Sequence, residues 1–251
     1  MKLQDKVIVV TGANSGIGKE ITRMFLNEGG IVAGIDIRDD SLLELKNDGN
    51  LKGQLETYIG DVSDRDGMNK ILDTVISKYG RLDILVNNAG IMDEMMPIAE
   101  VSDELWDRVM GINLNGPMNL SRKAIKQMLI QGKGNIINTC SIGGLFGSRA
   151  GVAYTASKFA LVGMTKNIGY MYGDKGIRCN GISPGAVNTN IGTGIKNPSP
   201  LGLERAMSGA CTNPKQSEAI DIARVALFLA SDDSSVINGA IITADNGWTA
   251  Y

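Results

Sequence analysis

The strongest constraint on the fold is an alternation of short apolar segments with amphipathic helical ones. Four segments have the length of single strands and the composition typical of buried strands in a parallel sheet. They are Val7–Val10, Ile31–Ile35, Ile84–Val86 and Asn135–Asn138, and a shorter run, Glu56–Ile59, predicts a further strand. Helical patterns occupy Gly18–Asn27, Arg65–Tyr79, Asp103–Gln131, Tyr154–Tyr172 and Glu218–Ala230. The repeated β-α-β order predicts an α/β fold with a three-layer, doubly wound parallel sheet.

The length and composition favour a single domain. The chain has 251 residues, of which 43% are hydrophobic, and this is enough for one substantial core. No linker or charge block divides it, so we expect one domain over residues 1–251. The stretch from Asn188 to Gln216 is rich in Gly, Pro and Asn. It breaks the alternation, and we expect it to form a lid over one end of the sheet. Gly29 and Gly80 lie where the first two helices should end.

The charge balance argues against nucleic acid and membrane partners. The formal net charge is -2, and there is no cluster of basic residues. No apolar run reaches the roughly 20 residues of a membrane span. The first residues lead directly into a strand, so we expect no secretory signal. Cys140, Cys179 and Cys211 show no paired spacing. We therefore expect reduced thiols and a cytoplasmic location.

The chain contains no histidine, which excludes several mechanisms. A zinc site of the HExxH type, a Ser-His-Asp triad and a Cys-His pair are all ruled out. Any catalytic base must be Tyr, Lys, Asp, Glu or Cys. The segment Asp61–Gly67 resembles a calcium loop, but Arg65 occupies a ligand position and no closing Glu follows. We therefore predict no metal site.

A glycine-rich segment, Thr11–Gly18, directly follows the first strand and opens a helix. Its glycines permit a tight turn and a close approach of the backbone to a phosphate at the helix N-terminus. A simple tight connection is the alternative explanation. Asp36 ends the second strand at the distance expected for a contact with an adenosine ribose. Its carboxylate would repel a 2′-phosphate and so favours NAD over NADP, although Arg38 lies close by.

Tyr154 and Lys158 are separated by one helical turn and project from the same helix face. A nearby cation favours phenolate, so Lys158 is expected to lower the pKa of Tyr154 from its usual value of about 10. That change would suit Tyr154 to acid/base catalysis. Taken alone, the pair is weak evidence, because two such residues one turn apart usually lie on an exposed helix face.

Together these residues resemble the short-chain dehydrogenase/reductase family, in its branch of single domains of roughly 250 residues. The resemblance covers essentially the whole chain. It rests on the Thr11–Gly18 loop and on residues that follow in the family's order. These are Asp61, Val62, Asn87–Gly90, Asn113, Ser141, Tyr154, Lys158, Pro184, Gly185 and Thr189. The joint presence of these elements in sequence order is highly specific.

The resemblance implies a Rossmann fold, hydride transfer by NAD, and a role for each matching residue. Tyr154 would be the proton donor or acceptor, Lys158 would hold the nicotinamide ribose, and Ser141 would steady the substrate oxygen. Asn113 would hold a water molecule on a proton path. Judged alone, Ser141 is also consistent with a turn cap and Asn113 with a buried structural asparagine. The implied catalytic residues are Asn113, Ser141, Tyr154 and Lys158. The implied cofactor-binding residues are Gly12, Asn14, Ser15, Gly16, Ile17, Gly18, Asp36, Asp61, Val62, Asn88, Ala89, Gly90, Tyr154, Lys158, Pro184, Gly185, Val187 and Thr189.

The substrate is less constrained than the reaction, because one fold serves many substrates. The expected lid is apolar, with few charges, which favours a hydroxysteroid or bile acid over a free sugar. Its apolar members are Ile191, Ile195, Leu201, Leu203, Ala206 and Met207. Met92, Met95 and Met96 are further candidates for an apolar wall. A sugar dehydrogenase, a 3-oxoacyl-thioester reductase and a non-catalytic NAD-binding sensor stay open as alternatives. Two long helices, Asp103–Gln131 and Tyr154–Tyr172, pair between subunits in the family, so we expect a homotetramer, or failing that a dimer.

Overall fold

A computed structural model describes residues 1–250. Within that range the strands are β1 (Val7–Thr11), β2 (Ile31–Asp36), β3 (Gln54–Ile59), β4 (Ile84–Asn87), β5 (Gly134–Thr139), β6 (Ile177–Pro184), β7 (Val187–Asn188), β8 (Ser217–Glu218) and β9 (Ile241–Ala244). The α-helices are α1 (Gly16–Asn27), α2 (Asp40–Lys46), α3 (Arg65–Tyr79), α4 (Asp103–Met110), α5 (Gly116–Gln131), α6 (Val152–Tyr172), α7 (Pro200–Ala210) and α8 (Ala219–Ala230).

Seven strands form one parallel sheet in the order β3-β2-β1-β4-β5-β6-β9. The chain moves outward from β1 to β3, then returns to the other side of β1 with β4. Loops that leave the carboxyl ends of β1 and β4 therefore diverge and open a crevice between them. This arrangement confirms the predicted doubly wound sheet and is Rossmann-like.

Helices cover both faces of the sheet and produce two apolar cores. On one face, Phe25 of α1 and Leu229 of α8 pack against the sheet. On the other, Leu72 of α3, Met128 of α5 and Ile168 of α6 do the same. All five residues of β1 are buried, which explains why its sequence is a continuous apolar run and does not alternate.

The bounds predicted for α3 are confirmed at both ends. The Asp64 carboxylate accepts hydrogen bonds from the backbone N–H groups of Asp66 and Gly67, at 3.2 and 3.1 Å. These bonds satisfy donors that the first turn of a helix leaves free. Gly80 ends the helix with φ +69°, a left-handed conformation that glycine adopts without strain. Gly29, with φ +82°, follows the end of α1 in the same way.

The predicted helical segment from Asp103 to Gln131 has the expected bounds, but it is not α-helical throughout. A π-helical turn, Gly111–Asn115, separates α4 from α5, and the Gly116 N–H donates to the Gly111 carbonyl five residues back. Pro117 accounts for the interruption, because proline has no N–H and its ring would clash with the carbonyl of Asn113 in a regular helix. The turn lies beside the crevice.

Two helices and two strands of the main sheet have no counterpart in the sequence-based assignment: α2, α7, β6 and β9. Helix α7 lies inside the expected lid and is capped by Ser199, whose hydroxyl accepts a hydrogen bond from Gly202 N–H at 3.1 Å. None of the helices in residues 1–250 combines the length and apolar character needed to cross a membrane.

Candidate active site

A cavity of about 720 Å³ opens at the carboxyl ends of the parallel strands. Its wall comes from the segments that follow β1, β2, β3, β4, β5 and β6. The volume is within the range of about 300 to 1,000 Å³ that is usual for pockets that bind small molecules and cofactors. One cavity therefore connects the glycine-rich loop with the Tyr154 region.

Most of the residues predicted for the site line this cavity. They are Gly12, Ser15, Gly16, Ile17, Asp36, Asp61, Val62, Asn88, Ala89, Gly90, Ser141, Tyr154, Lys158, Pro184, Gly185, Val187 and Thr189. Asn14, Gly18 and Asn113 do not line it, and each has a separate place in the surrounding structure.

The glycine-rich loop fits a phosphate group. Gly12 and Gly16 have φ +66° and +52°, and a Cβ on Gly12 would lie 2.9 Å from the Ala89 Cα. A Cβ on Gly18 would lie only 2.0 Å from the Gly12 carbonyl oxygen, so Gly18 allows the loop to close on the helix. Ser15 precedes α1 without a side-chain cap. The free N–H groups of the first turn are therefore available to an anion.

Asn14 and Asp36 connect this loop to β2. The Asp36 carboxylate accepts hydrogen bonds from Asn14 N–H at 3.0 Å and from Arg38 N–H at 3.3 Å. The Asn14 side chain turns away from the cavity, donates to Asp40 at 2.7 Å and accepts from Leu42 N–H at 3.0 Å. Asn14 thus fixes the loop and the Asp36 carboxylate. Its side chain has no polar atom left to face a ligand.

Asn88 connects the ends of the strands that border the crevice. Its side-chain amide donates to the carbonyls of Thr11 and Gly12, at 3.1 and 3.3 Å. The Thr139 hydroxyl donates to the Asn88 side-chain oxygen at 3.3 Å. In return, the Thr11 hydroxyl accepts from the backbone N–H groups of Asn88 and Ala89. The ends of β1, β4 and β5 are therefore held in a fixed relation.

Tyr154 and Lys158 lie in the first two turns of α6 and are both buried, at 7% and 3% exposure. The alternative of an exposed helix face is therefore wrong. The Lys158 ammonium lies 5.6 Å from the centre of the Tyr154 ring and donates to the Thr139 carbonyl at 2.8 Å. Burial lowers the pKa of Lys158 from its usual 10.5 to about 8.

The electrostatics of Tyr154 differ from the expectation. Burial raises the pKa of Tyr154 to about 12, while contact with the Ser141 hydroxyl opposes that change and the Asp93 carboxylate adds to it. The expected lowering by Lys158 is not met in this structure. Loss of hydration is the largest influence, because the phenolate would be buried.

Ser141 follows β5 and combines the two roles considered for it. Its hydroxyl oxygen accepts from Gly143 N–H at 3.0 Å and so caps the short 3-10 turn Ile142–Gly144. The same side chain faces the cavity and contacts the Tyr154 phenol. The hydroxyl hydrogen is not needed for the cap, so it is available to the Tyr154 oxygen or to a substrate oxygen.

Asn113 lies in the π-helical turn and is completely buried. Its side chain accepts from Ile91 N–H and donates to the Ile91 carbonyl, both at 2.9 Å, and donates to the Ser157 hydroxyl at 3.2 Å. Asn113 therefore has the structural role considered for it, that of a buried asparagine whose side chain bonds to other parts of the chain. Asn113 lies near Gly90 and joins the segment after β4 to α6.

Parts of the cavity wall were not anticipated. Met92 lines the cavity as expected, but Met95, Met96 and Met207 do not. Of the apolar residues expected in the lid, only Ile191 reaches the wall. Those of α7 are not in the wall, and Leu201, Leu203 and Met207 are exposed to solvent. The sequence showed that the lid is apolar, but not which way its side chains point.

Asp93 is the most prominent polar residue that sequence reasoning missed. It is fully buried, and its carboxylate accepts hydrogen bonds from the backbone of α6, including Tyr154 N–H at 2.8 Å. Burial raises the pKa of Asp93, while its backbone donors act in the opposite direction. In the sequence, the only sign that Asp93 lies near the site is its position directly after Met92.

The fold and the cavity define an α/β nucleotide-binding protein of the Rossmann-like class. A family model described as enoyl-(acyl carrier protein) reductase matches residues 12–249. The 3beta-hydroxysteroid dehydrogenase 2 of Eggerthella lenta is 44% identical over 251 residues, covering 99% of this chain and 96% of that protein. The 3-oxoacyl-[acyl-carrier-protein] reductase FabG of Thermotoga maritima is 36% identical over 249 residues, covering 98% and 99%.

A solved structure shows the same architecture. It is that of a candidate NAD(P)-dependent gluconate 5-dehydrogenase from Beutenbergia cavernae, with NADP bound at low occupancy. The TM-score is 0.88 at 32% sequence identity, and the match covers 100% of this chain and 99% of that one. The chain belongs to the short-chain dehydrogenase/reductase family of oxidoreductases, whose members use NAD or NADP.

Proposed function

We propose that the protein is an NAD(H)-dependent oxidoreductase that interconverts a secondary alcohol and a ketone, with Tyr154 as the acid/base group. One observation carries this proposal. Tyr154, Ser141 and Lys158 share a single cavity with the glycine-rich loop and Asp36. A group that moves protons is thereby placed within reach of a site that fits a dinucleotide.

The cavity residues divide the binding of the cofactor among them. When bound, NAD would accept the hydride during oxidation and NADH would supply it during reduction. The Gly12–Ile17 segment and Asp36 would hold its pyrophosphate and adenosine ribose, and Asp61 and Val62 would contact the adenine. Lys158 would hold the nicotinamide ribose. The nicotinamide itself would be contacted by Pro184, Gly185, Val187 and Thr189.

The proton chemistry belongs to the protein. The Tyr154 phenol donates its proton to the carbonyl oxygen during reduction and takes a proton from the hydroxyl during oxidation. The Ser141 hydroxyl donates a hydrogen bond to the same oxygen and stabilises the charge that develops there. The Lys158 ammonium favours the phenolate during the transfer. Because Pro117 has no N–H, the Asn113 carbonyl lacks the usual donor four residues on. That carbonyl is the group we propose to hold a water on the proton path.

Asp36 supports NAD as the cofactor. Its carboxylate is held by the two backbone bonds described above and lines the cavity at the end of β2. In that position it can accept hydrogen bonds from a ribose and repel a 2′-phosphate. Arg38 lines the same part of the cavity and is the feature that favours NADP.

We propose a hydroxysteroid, and among these a 3β-hydroxysteroid, as the substrate. The relative from Eggerthella lenta carries that activity in its name, and Ile91, Met92 and Ile191 supply apolar wall. A 3-oxoacyl-thioester reductase is the second candidate, favoured by the relative from Thermotoga maritima. A sugar dehydrogenase is the third candidate. A non-catalytic NAD-binding sensor has the least support, because Tyr154 and Lys158 are both present in the cavity.

A substrate and cofactor panel tests this proposal. Purified protein is mixed with NAD or NADP and with 3β-hydroxysteroids, bile acids, sugar alcohols and small secondary alcohols, and a 3-oxoacyl thioester is offered with NADH or NADPH. Absorbance of the reduced cofactor reports turnover. The proposal predicts the highest kcat/KM with NAD and a 3β-hydroxysteroid. A preference for NADPH with the thioester would establish the second candidate. Bound NAD without turnover of any substrate would favour the sensor.

We also propose a homotetramer of single-domain subunits, with residues 188–216 as the lid. Phe159 of α6 is 45% exposed. Tyr170 and Met171 of α6 and Ile130 of α5 are also exposed. A second copy of the chain would cover these apolar side chains. Light scattering in solution should give the mass of four chains, and the mass of one chain would contradict the proposal. The cytoplasmic location stays a prediction.

A further inference from the structure

We infer that Asp93 is a positioning residue that sets the location of Tyr154 in the cavity. The inference rests on the proposed function, because it assigns Asp93 an effect on the acid/base step. Asp93 does not line the cavity itself. It acts on the start of α6, the helix that carries Tyr154.

The contacts of Asp93 are concentrated on that helix. One carboxylate oxygen accepts from Tyr154 N–H at 2.8 Å, and the other accepts from Gly151 N–H at 3.0 Å and from Met95 N–H at 3.3 Å. The side chain is fully buried, so no water competes for these donors. Tyr154 is thus held through its own backbone amide by a charged acceptor.

Helix α6 needs this external cap. Its N-cap residue is Gly151, which has no side chain to satisfy the first-turn donors. A side chain at Gly151 has no room, since a Cβ there would lie 2.4 Å from the Met96 backbone nitrogen. By contrast, α3 and α4 are capped by their own N-cap residues, Asp64 and Ser102. The start of the Tyr154 helix therefore depends on a residue 61 positions earlier in the chain.

The segment that carries Asp93 is shaped to deliver this cap. Glu94 and Met95 both have φ +58°, a left-handed conformation that side chains other than glycine rarely adopt. The Met96 carbonyl accepts from Val152 N–H at 2.9 Å, and the Glu94 carbonyl accepts from Ser199 N–H at 3.1 Å. The segment therefore joins the start of α6 to the start of α7 in the lid.

The cap also connects Tyr154 to the substrate side of the cavity. Asp93 lies between Met92 and Glu94, and both of these line the cavity wall. A shift of this segment would move the wall and Tyr154 together. Loss of the carboxylate should therefore alter turnover more than cofactor binding, since the glycine-rich loop lies on a different helix.

The charge of Asp93 provides a second measurable effect. The groups that influence the Tyr154 phenol are Lys158 on the same helix, Cys140 and Ser141 after β5, and Asp93. The Asp93 carboxylate raises the pKa of Tyr154. Replacing it with a neutral amide should lower that pKa, in addition to any displacement.

The test is Asp93→Asn, which keeps the shape but turns an amide donor toward backbone donors. We expect kcat to fall about 10- to 100-fold, because small misplacements of a catalytic group have effects of that size. The Kd for NAD should change much less than kcat, because most of the residues proposed to hold NAD lie outside α6. The pH at which alcohol oxidation reaches half of its maximal kcat should move to lower values.

Asp83→Asn is the matched control, since Asp83 is a buried carboxylate that accepts from Val7 N–H at 2.8 Å at the opposite end of the sheet. It should lose stability while kcat and its pH profile stay those of the wild type.

Unchanged kcat in folded Asp93→Asn would overturn the inference, and so would a lower kcat with an unshifted pH profile. If that variant folds poorly, Asp93→Ser replaces it, with turnover expressed per NAD-binding site. Wild-type turnover per site in that variant would equally overturn the inference. If the wild type turns over no alcohol, the proposed function has failed. The effect of Asp93 on Tyr154 is then tested by ultraviolet titration of tyrosinate, with the titration curve of Tyr154→Phe subtracted. A lower Tyr154 pKa in Asp93→Asn supports the inference, and an unchanged pKa overturns it.

Discussion

Replacing Lys158 with methionine should make the ligand-free protein more stable while it destroys activity. Lys158 is almost completely buried, and no carboxylate in residues 1–250 forms a salt bridge with it. Its ammonium donates only to the Thr139 carbonyl among the hydrogen bonds described. A buried cation with so little compensation costs folding free energy. Methionine has a similar volume and carries no charge.

The magnitude follows from the pKa of Lys158. A fall from 10.5 to about 8 corresponds to a cost of about 3 kcal/mol for holding the proton in the folded state. Loss of the bond to Thr139 leaves a buried carbonyl unpaired, which costs about 1 kcal/mol. Lys158→Met should therefore gain about 2 kcal/mol, or roughly 4–8 °C in Tm for a chain of this size.

The pH dependence follows from the two pKa values of Lys158. Its pKa is lower in the folded protein than in the unfolded chain, so between the two values the unfolded chain binds the additional proton. The folding penalty from the Lys158 charge is therefore complete below pH 8, shrinks as the pH rises, and is absent above pH 10.5. The advantage of Lys158→Met should follow the same course.

Thermal unfolding of both proteins, followed by circular dichroism at equal concentration across this pH range, measures the effect. Equal or lower stability of Lys158→Met near neutral pH would refute the reasoning. An advantage that stays constant up to pH 10.5 would refute it too, because it would come from packing alone.

Two further changes test the cofactor region. Asp36→Ala should reduce the ratio of kcat/KM for NAD to that for NADP by roughly 10- to 100-fold. The reason is that the substitution removes charged acceptors for a ribose and the repulsion of a 2′-phosphate. An unchanged ratio would contradict the assignment of Asp36. Gly18→Ala should weaken NAD binding and lower stability by about 1–3 kcal/mol, since its Cβ would meet the Gly12 carbonyl oxygen at 2.0 Å. Gly49→Ala is the control, because a Cβ at Gly49 meets nothing within 4 Å. Equal affinity of both variants for NAD, measured by calorimetry, would exclude the proposed loop geometry.

The sheet was only partly predictable from the pattern of apolar residues, and β6 shows one reason. β6 escaped prediction because Asn180 and Ser183 interrupt its apolar pattern, although both are fully buried. Asn180 is satisfied by the Ile237 carbonyl and Ala240 N–H, at 2.8 and 3.0 Å. Those partners lie more than 50 residues away, at separations of 57 and 60. A pattern of neighbouring residues cannot show such pairing.

The helices show a similar limit. The amphipathic pattern from Asp103 to Gln131 is continuous in sequence, so it predicts one helix. The decisive residue was Pro117, whose effect on the backbone creates the π-helical turn. Periodicity reports which face is apolar, and it is insensitive to a change in helix type that keeps that face buried.

For the site, residue spacing predicted which groups meet, while burial determined how they behave. Tyr154 and Lys158 share a helix face as expected, but the pKa of Tyr154 is higher than expected because its phenol is buried. Asn14 was assigned to the cofactor by resemblance, and its side chain instead joins the loop to α2. Asp93 was invisible because its role arises from a contact between distant segments.

The central claim is that Tyr154 moves the proton in the reaction, and Tyr154→Phe tests it most directly. The substitution removes only the phenolic oxygen, so the cavity and the cofactor-binding residues keep their shape. Measured with the best alcohol of the panel, kcat should fall about 100- to 10,000-fold, the range for loss of a general acid/base group. The Kd for NADH, measured in parallel by fluorescence, should stay within error of the wild type. Turnover retained at the wild-type level would contradict the account.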